Sequence, residues 1–456
     1  MEMFFAKLAG PIEEARKSGD YQRLKQIWQA YIFRFRELDV YQAIREGLPD
    51  WTDEEMNKLG SLGDGLGGFR PQYHWGFVYY LSSFVNKLDT DMLFLPYGIQ
   101  RLHKGLLQQP VSSPCGDGLQ LRERVKLRSV VIDIKTLENT KVVTVKNLDT
   151  GMNHRLMFDA VIMTQTPTAM VNQGFNQKPV QDPRAPFSQQ RVKQALQNVK
   201  FTSSTKIFIR TKQQFWQNST YAFPRVLQTD GRPHSLYTFD YPKEYNPDGN
   251  GVVLLSYVWE DDSMRYLTQT PAERFNQLKA SIAKTSPEFA ASLVPTDDEI
   301  VSIDWQAEPY YCGAFKVIPP GDERDTWALY HQFQTVLNRS LDRGVYLAGE
   351  GVGWDGGWQE TALLTGINAA CAAAHHVGAV VRPNSPLTQD PKLYSYDSPQ
   401  YRTVLPGQWP EAPHDFAAAR IFEETDRASK NGFPITRTVD FIGYLQARHS
   451  PISRIH

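Results

Sequence analysis

The chain has little cysteine, no charge bias and no long apolar run, and each shortage excludes a class of protein. Its 456 residues contain three cysteines, Cys115, Cys312 and Cys371. That is too few for a disulfide framework, and none has a partner at CxxC spacing, so no metal site is expected. Lysine plus arginine number 49 and aspartate plus glutamate 50, a formal net charge of -1. This balance leaves no basic footprint for nucleic acid and no polybasic patch for a membrane surface. The most apolar stretch, Ile367 to Val381, is interrupted by Asn368, His375 and His376. It falls short of the roughly 18 apolar residues that a membrane-spanning helix requires. The opening MEMFFAKLAGPIEEARKSGD turns polar early and lacks a basic n-region, unlike a signal peptide. A cytoplasmic protein is the expectation.

What is present points to a large, mixed fold. Hydrophobic residues make up 41% and aromatics 12% of the chain, enough for a sizeable core. Residues 11–60 repeat apolar positions at three- and four-residue spacing, as helices do. Thr52, with Glu55 three residues on, marks a helix start of the capping-box type. HWGFVYYLSSFVNKL (74–88) reads as a largely buried helix. From Val125 to Pro167 the chain alternates and is rich in β-branched residues. It predicts about three strands, with turns near Asn139 and at Asp149-Thr150-Gly151. Further strands are expected at Lys206 to Arg210 and Val252 to Val258, and an amphipathic helix at 271–285. Beyond about residue 383 the chain is polar and proline-rich, with a helix expected near Phe416 to Lys430.

Two glycine-rich segments compete for attention. Gly63-Asp64-Gly65-Leu66-Gly67-Gly68 satisfies GxGxxG literally. A dinucleotide site needs a buried strand before the glycines and a helix after them. Here a charged helical stretch precedes, and Pro71 follows closely, so a tight turn is expected instead. The segment GVYLAGEGVGWDGGWQETALLTGINAA (344–370) has the right order: strand, glycine loop, helix. A helix start offers free N–H groups and a positive dipole end, which suit an electron-rich ring.

That segment resembles the C-terminal flavin-contacting motif of the flavin amine oxidases. LRERVKLRSVVIDI (121–134), FDAVIMTQTP (158–167) and SSTKIFIRTKQQFW (203–216) resemble other stretches of the same family. LLSYVWEDDSMRYL (254–267), WQAEPYYCGAFKVIPPGDE (305–323) and GDGLGGFRP (63–71) resemble its bacterial amino acid oxidase and 2-monooxygenase branch. The resemblance implies an α/β fold, mixed with α+β features. Part of a glutathione-reductase-type FAD-binding domain would join a mixed sheet and helix substrate domain. The implied division is a helical part of the substrate domain at 1–95, returning FAD-domain strands at 96–170, and a substrate-binding domain at 171–330. A C-terminal FAD segment at 331–382 and an irregular tail at 383–456 follow.

The implied cofactor is FAD, and the implied reaction is oxidation of an L-amino acid at Cα by hydride transfer to the flavin, followed by reaction with O2. The products would be a 2-oxo acid, ammonia and peroxide, or an amide by oxidative decarboxylation. Lys206, Trp354 and Trp358 are the implied catalytic residues. Val125, Gly349, Glu350, Gly357, Trp358 and Thr361 would contact the cofactor. Trp259, Trp354 and Gly357 would line the substrate pocket. Lys316 is expected to be structural or FAD-adjacent, and Glu260-Asp261-Asp262 a solvated cap. A monoamine or polyamine oxidase and a non-catalytic scaffold subunit are the alternatives. The family's strand–GxGxxG–helix unit and its carboxylate-binding arginine are not matched, and Arg70 is a poor substitute. A second, smaller chain carrying both, in a hetero-oligomer, is therefore expected.

Overall fold

A computed structural model describes residues 2–378, apart from 63–67, 86–94, 96–97, 114–115, 183, 188, 218–222, 224 and 331–343. The glycine turn at 63–67 and the tail beyond 378, with its expected helix, lie outside the described residues.

The N-terminal part is a helical lobe. Helices Glu2–Ser18, Tyr21–Phe35, Val40–Gly47, Asp53–Leu62 and Phe77–Val85 pack around Phe5, Trp28, Phe35, Phe69 and Phe77. Local chemistry sets several of their starts. Asp39 and Gln42 cap each other's backbone at the third start. At the fourth, Thr52 N donates to Glu55 Oε2 at 2.7 Å and Glu55 N to Thr52 Oγ1 at 3.3 Å, the expected capping box. Those bonds hold the Glu55 carboxyl below its usual pKa. At Gly76 the lobe meets the rest of the chain. Its N–H donates to Ile318 O at 2.8 Å, and a Cβ there would lie 2.9 Å from that oxygen. Only glycine permits this approach.

The centre is a five-stranded antiparallel sheet. Its order is Pro295–Asp304, Ser204–Thr211, Gly251–Trp259, Ser235–Phe239, Val226–Gln228. Along Ser204–Thr211 the side chains alternate, as the strand period requires. Ile207 and Ile209 bury against Phe275, Leu278 and Ile282 of helix Pro271–Thr285. Lys206 therefore faces the other way, opposite Tyr257 in the register. Arg274 ties the helix to the sheet through Asp304 at 2.8 Å and also donates to the Tyr266 carbonyl of the connecting segment at 2.7 Å.

The third part carries the expected three-stranded antiparallel sheet, Ser129–Leu137, Thr140–Asn147 and Asn153–Phe158. Beside it, Val161–Met163 and Val345–Leu347 form a parallel pair, covered by helix Gln359–His376. Its core joins Ile134 and Val143 to Val192 and Leu196, and to Ala328 and Leu329 of helix Glu323–Tyr330. The core thus unites segments far apart in the chain. Among the described residues no helix is long and apolar enough to cross a membrane, and no cluster of three or more His, Cys, Asp or Glu could hold a metal.

Candidate active site

The strand Val345–Leu347 is fully buried and runs straight into the glycine loop. Gly349 sits at φ 113° and ψ 164°, a region open essentially to glycine alone. Its N–H donates to Thr365 Oγ1 at 3.0 Å, tying the loop to the helix that follows. Gly356 packs directly on the Lys316 carbonyl, which leaves no room for a Cβ. Thr361 is buried, with its methyl group against Gly353. The helix begins at Gln359.

Glu350 braces this loop from within. Its Oε2 accepts from Gly357 N at 2.9 Å and from Lys316 N at 3.2 Å. Burial raises its pKa, against the pull of those bonds and of the Lys316 charge. Lys316 is itself buried, and its ammonium donates to Gly353 O. Both residues therefore hold the loop onto the short strand Phe315–Val317.

Lys206 lies across the sheet from Tyr257, with its ammonium 4.3 Å from the ring centroid. Burial pushes its pKa below the usual lysine value. Among the described residues it has no carboxylate partner; the aromatic face is what it rests on. From there a chain of rings leads to the loop. Tyr257 meets Trp259 at 5.4 Å and Trp259 meets Phe315 at 5.4 Å, both edge-on. Phe315 in turn lies 3.4 Å from where a Gly357 Cβ would stand. Trp75 stacks on Trp259 at 5.8 Å from the helical side. Trp354 is buried in the same cluster, 6.3 Å from Tyr330.

The fold thus joins Lys206 and Trp259 to Glu350, Gly357 and Trp354, from strands and loops far apart in sequence. Gly349 and Thr361 are held within the same loop and helix start. Trp358 is half-buried at that helix start. Val125 stands apart: it is 45% exposed after the turn Leu121–Arg124, and no described contact ties it to the loop. Trp75, Tyr257, Phe315 and Thr365 were not singled out from sequence. Tyr257 alone left a signal, two residues before Trp259 on a strand that can pair beside Lys206.

The acidic run departs from the solvated cap expected of it: only Asp261 is exposed. Glu260 accepts from Thr202 Oγ1 at 2.7 Å. Asp262 accepts from His234 Nε2 at 3.1 Å, and Arg265 also pairs with it. Burial alone would raise the Asp262 pKa, yet His234 and Arg265 hold it low. The run forms a short helix, Glu260–Met264, directly after the strand, where it finds these partners. Arg70 is exposed and donates to Asn57 Oδ1 at 3.0 Å.

A buried ammonium with no counter-ion among the described residues and a glycine loop opening a helix suit a cofactor whose reduced ring gains negative charge, so the residues fit FAD. The profile of the family described as flavin containing amine oxidoreductase matches residues 20–374. A tryptophan 2-monooxygenase of Pseudomonas savastanoi is 32% identical over 394 residues, covering 83% of this chain and 67% of that one. Another, from Pantoea agglomerans pv. gypsophilae, is 31% identical over 406 residues, covering 85% and 68%. The solved structure of putrescine oxidase bound to putrescine shares the fold, with a TM-score of 0.55 at 14% identity, over 83% of this chain and 76% of that one. In both monooxygenases the matched region is part of one longer chain, so the comparisons give the expected second subunit no support. The chain belongs to the flavin containing amine oxidoreductase family and is a flavin-dependent oxidoreductase with FAD as its cofactor.

Proposed function

We propose that the chain oxidises a large apolar or aromatic L-amino acid at Cα, with tryptophan-like substrates first among them. In the monooxygenase outcome the amino acid and O2 give an amide, CO2 and water. In the oxidase outcome the amino acid, O2 and water give a 2-oxo acid, ammonia and H2O2. The tryptophan 2-monooxygenase relatives favour the first. FAD, when bound, supplies the hydride acceptor. Gly349, Glu350, Gly357, Trp358, Thr361 and Val125 are the residues proposed to hold it.

The observation that carries this reading is Lys206: a buried ammonium whose described neighbour is an aromatic ring, joined through Trp259 and Phe315 to the glycine loop. In this reading Lys206 holds and moves a proton at the reacting centre. Trp259, Trp354 and Gly357 wall the substrate side and exclude water, and Trp358 completes the wall at the helix start. The amine must be neutral, so that its lone pair can assist Cα–H cleavage. Incubating the FAD-loaded chain with each L-amino acid, and assaying amide and peroxide, tests the proposal. Amide from L-tryptophan supports it; turnover of amines alone, or of nothing, refutes it. A separate small subunit is the less supported arrangement. A partner bearing GxGxxG that co-purifies would establish it, and an FAD-loaded protein of this chain alone would refute it.

A further inference from the structure

We propose that Trp75 contacts the substrate, its indole N–H donating to the carboxylate of the bound L-amino acid. This rests on the amino acid reading above. Trp75 is 8% exposed, and its Nε1 has no hydrogen-bond partner among the described residues. A buried N–H without an acceptor is destabilising, and native structures keep few of them. Here the orphan sits in the wall of the candidate site. The Trp75 ring stacks on Trp259 at 5.8 Å and 28°, and meets Phe315 edge-on at 6.1 Å. Those are the rings that link Lys206 to the glycine loop.

The donor is also held in place. Trp75 N donates to Gln72 O at 3.0 Å, and Val40 N donates to Trp75 O at 3.0 Å. The next residue, Gly76, bonds Ile318 O at 2.8 Å across the seam between the lobes. An N–H fixed before the ligand arrives costs little ordering on binding. The choice of acceptor follows from the substrate. An apolar L-amino acid offers only its carboxylate and its neutral amine as acceptors. The amine lone pair is committed to Cα–H cleavage, which leaves the carboxylate.

The test uses the FAD-loaded full chain and two ligands that cannot be oxidised, read by perturbation of the flavin absorption band. Indole-3-propionate is tryptophan without its α-amine and keeps the carboxylate. 3-Methylindole lacks the carboxylate. Trp75→Phe keeps an aromatic ring and removes the N–H. It should weaken indole-3-propionate binding by about ten- to a hundredfold, the range for a hydrogen bond to a charged group. Binding of 3-methylindole should change by less than about twofold. Equal weakening of both ligands would make Trp75 a packing residue only and overturn the proposal; so would no weakening. If Trp75→Phe fails to fold, exchanging the indole at position 75 for benzothiophene removes the N–H at constant shape, and the same selective loss is required. A wild-type chain that binds FAD but neither binds indole-3-propionate nor is reduced by L-tryptophan overturns the functional reading itself. Binding that Trp75→Phe leaves intact overturns the Trp75 role alone.

Discussion

The two faces of strand Ser204–Thr211 carry opposite kinds of chemistry. One face, Ile207 and Ile209, closes against helix Pro271–Thr285. At the end of that contact the Arg274–Asp304 pair is nearly sealed, with side chains 5% and 17% exposed. Thr205 also donates to Asp304 Oδ1, at 2.6 Å. There the polar groups answer one another. The other face carries Lys206 on the Tyr257 ring, and beyond it Trp75, whose N–H has no partner among the described residues. A residue on the first face stabilises the fold. A polar residue buried on the second face with no described partner costs stability, a cost that contact with a ligand would offset.

Substitutions on the two faces should therefore separate. The largest effect is expected from Lys206→Met, which should slow flavin reduction or reoxidation by on the order of 10²–10⁴ while the far-UV circular dichroism and Tm hold or improve. Unchanged flavin kinetics would remove Lys206 from the site. Arg274→Met should do the reverse. It strands a buried Asp304 carboxylate and should cost about 3–5 kcal/mol in denaturant unfolding. The flavin kinetics of the molecules that remain folded should be unaltered.

Two titrating groups sharpen the contrast away from the strand. Burial raises the Glu323 carboxyl to about 7, with Asp322 and Glu37 adding to the rise and Arg36 opposing it. Its folded pKa exceeds the unfolded value, so its ionisation penalises the fold as pH rises from about 4.5 to 7. Glu323→Gln should therefore be stabilising at pH 8 by about 3 kcal/mol and nearly neutral at pH 4. A flat difference across that range would contradict this.

The smallest effect belongs to His234. Its ring bonds Asp262 and the Ser61 carbonyl at 3.0 Å, with Arg265 and Arg70 as the nearby cations. Burial would lower its pKa, but the two bonds outweigh burial and raise it. The pair's contribution is thus complete below about pH 6.5 and is lost as pH rises through the raised folded value. Removing it with His234→Leu should cost about 1 kcal/mol at pH 6, shrinking above that. A loss that stays constant up to pH 9 would rule out a charged His234.

Much of this was legible locally. The capping box at Thr52, the strand of Lys206 and the strand–loop–helix of 344–370 all follow from residue order within short windows. For Glu350, expected to contact the cofactor, one set of partners was not legible. Its Oε2 serves the protein's own backbone, from a strand more than thirty residues earlier. What sequence period cannot report is which distant faces meet. Trp75 reaches Trp259 only because Gly76 lets the lobes approach at Ile318. Asp262 finds its partner in His234, nearly thirty residues earlier in the chain. Such contacts depend on tertiary closure, and no pattern of three, four or two residues encodes them.

The most direct test mixes the FAD-loaded chain with L-tryptophan without oxygen and follows the flavin band. The account predicts bleaching in the wild-type chain, and amide formation once oxygen is admitted. A flavin band left unchanged by every L-amino acid would contradict it.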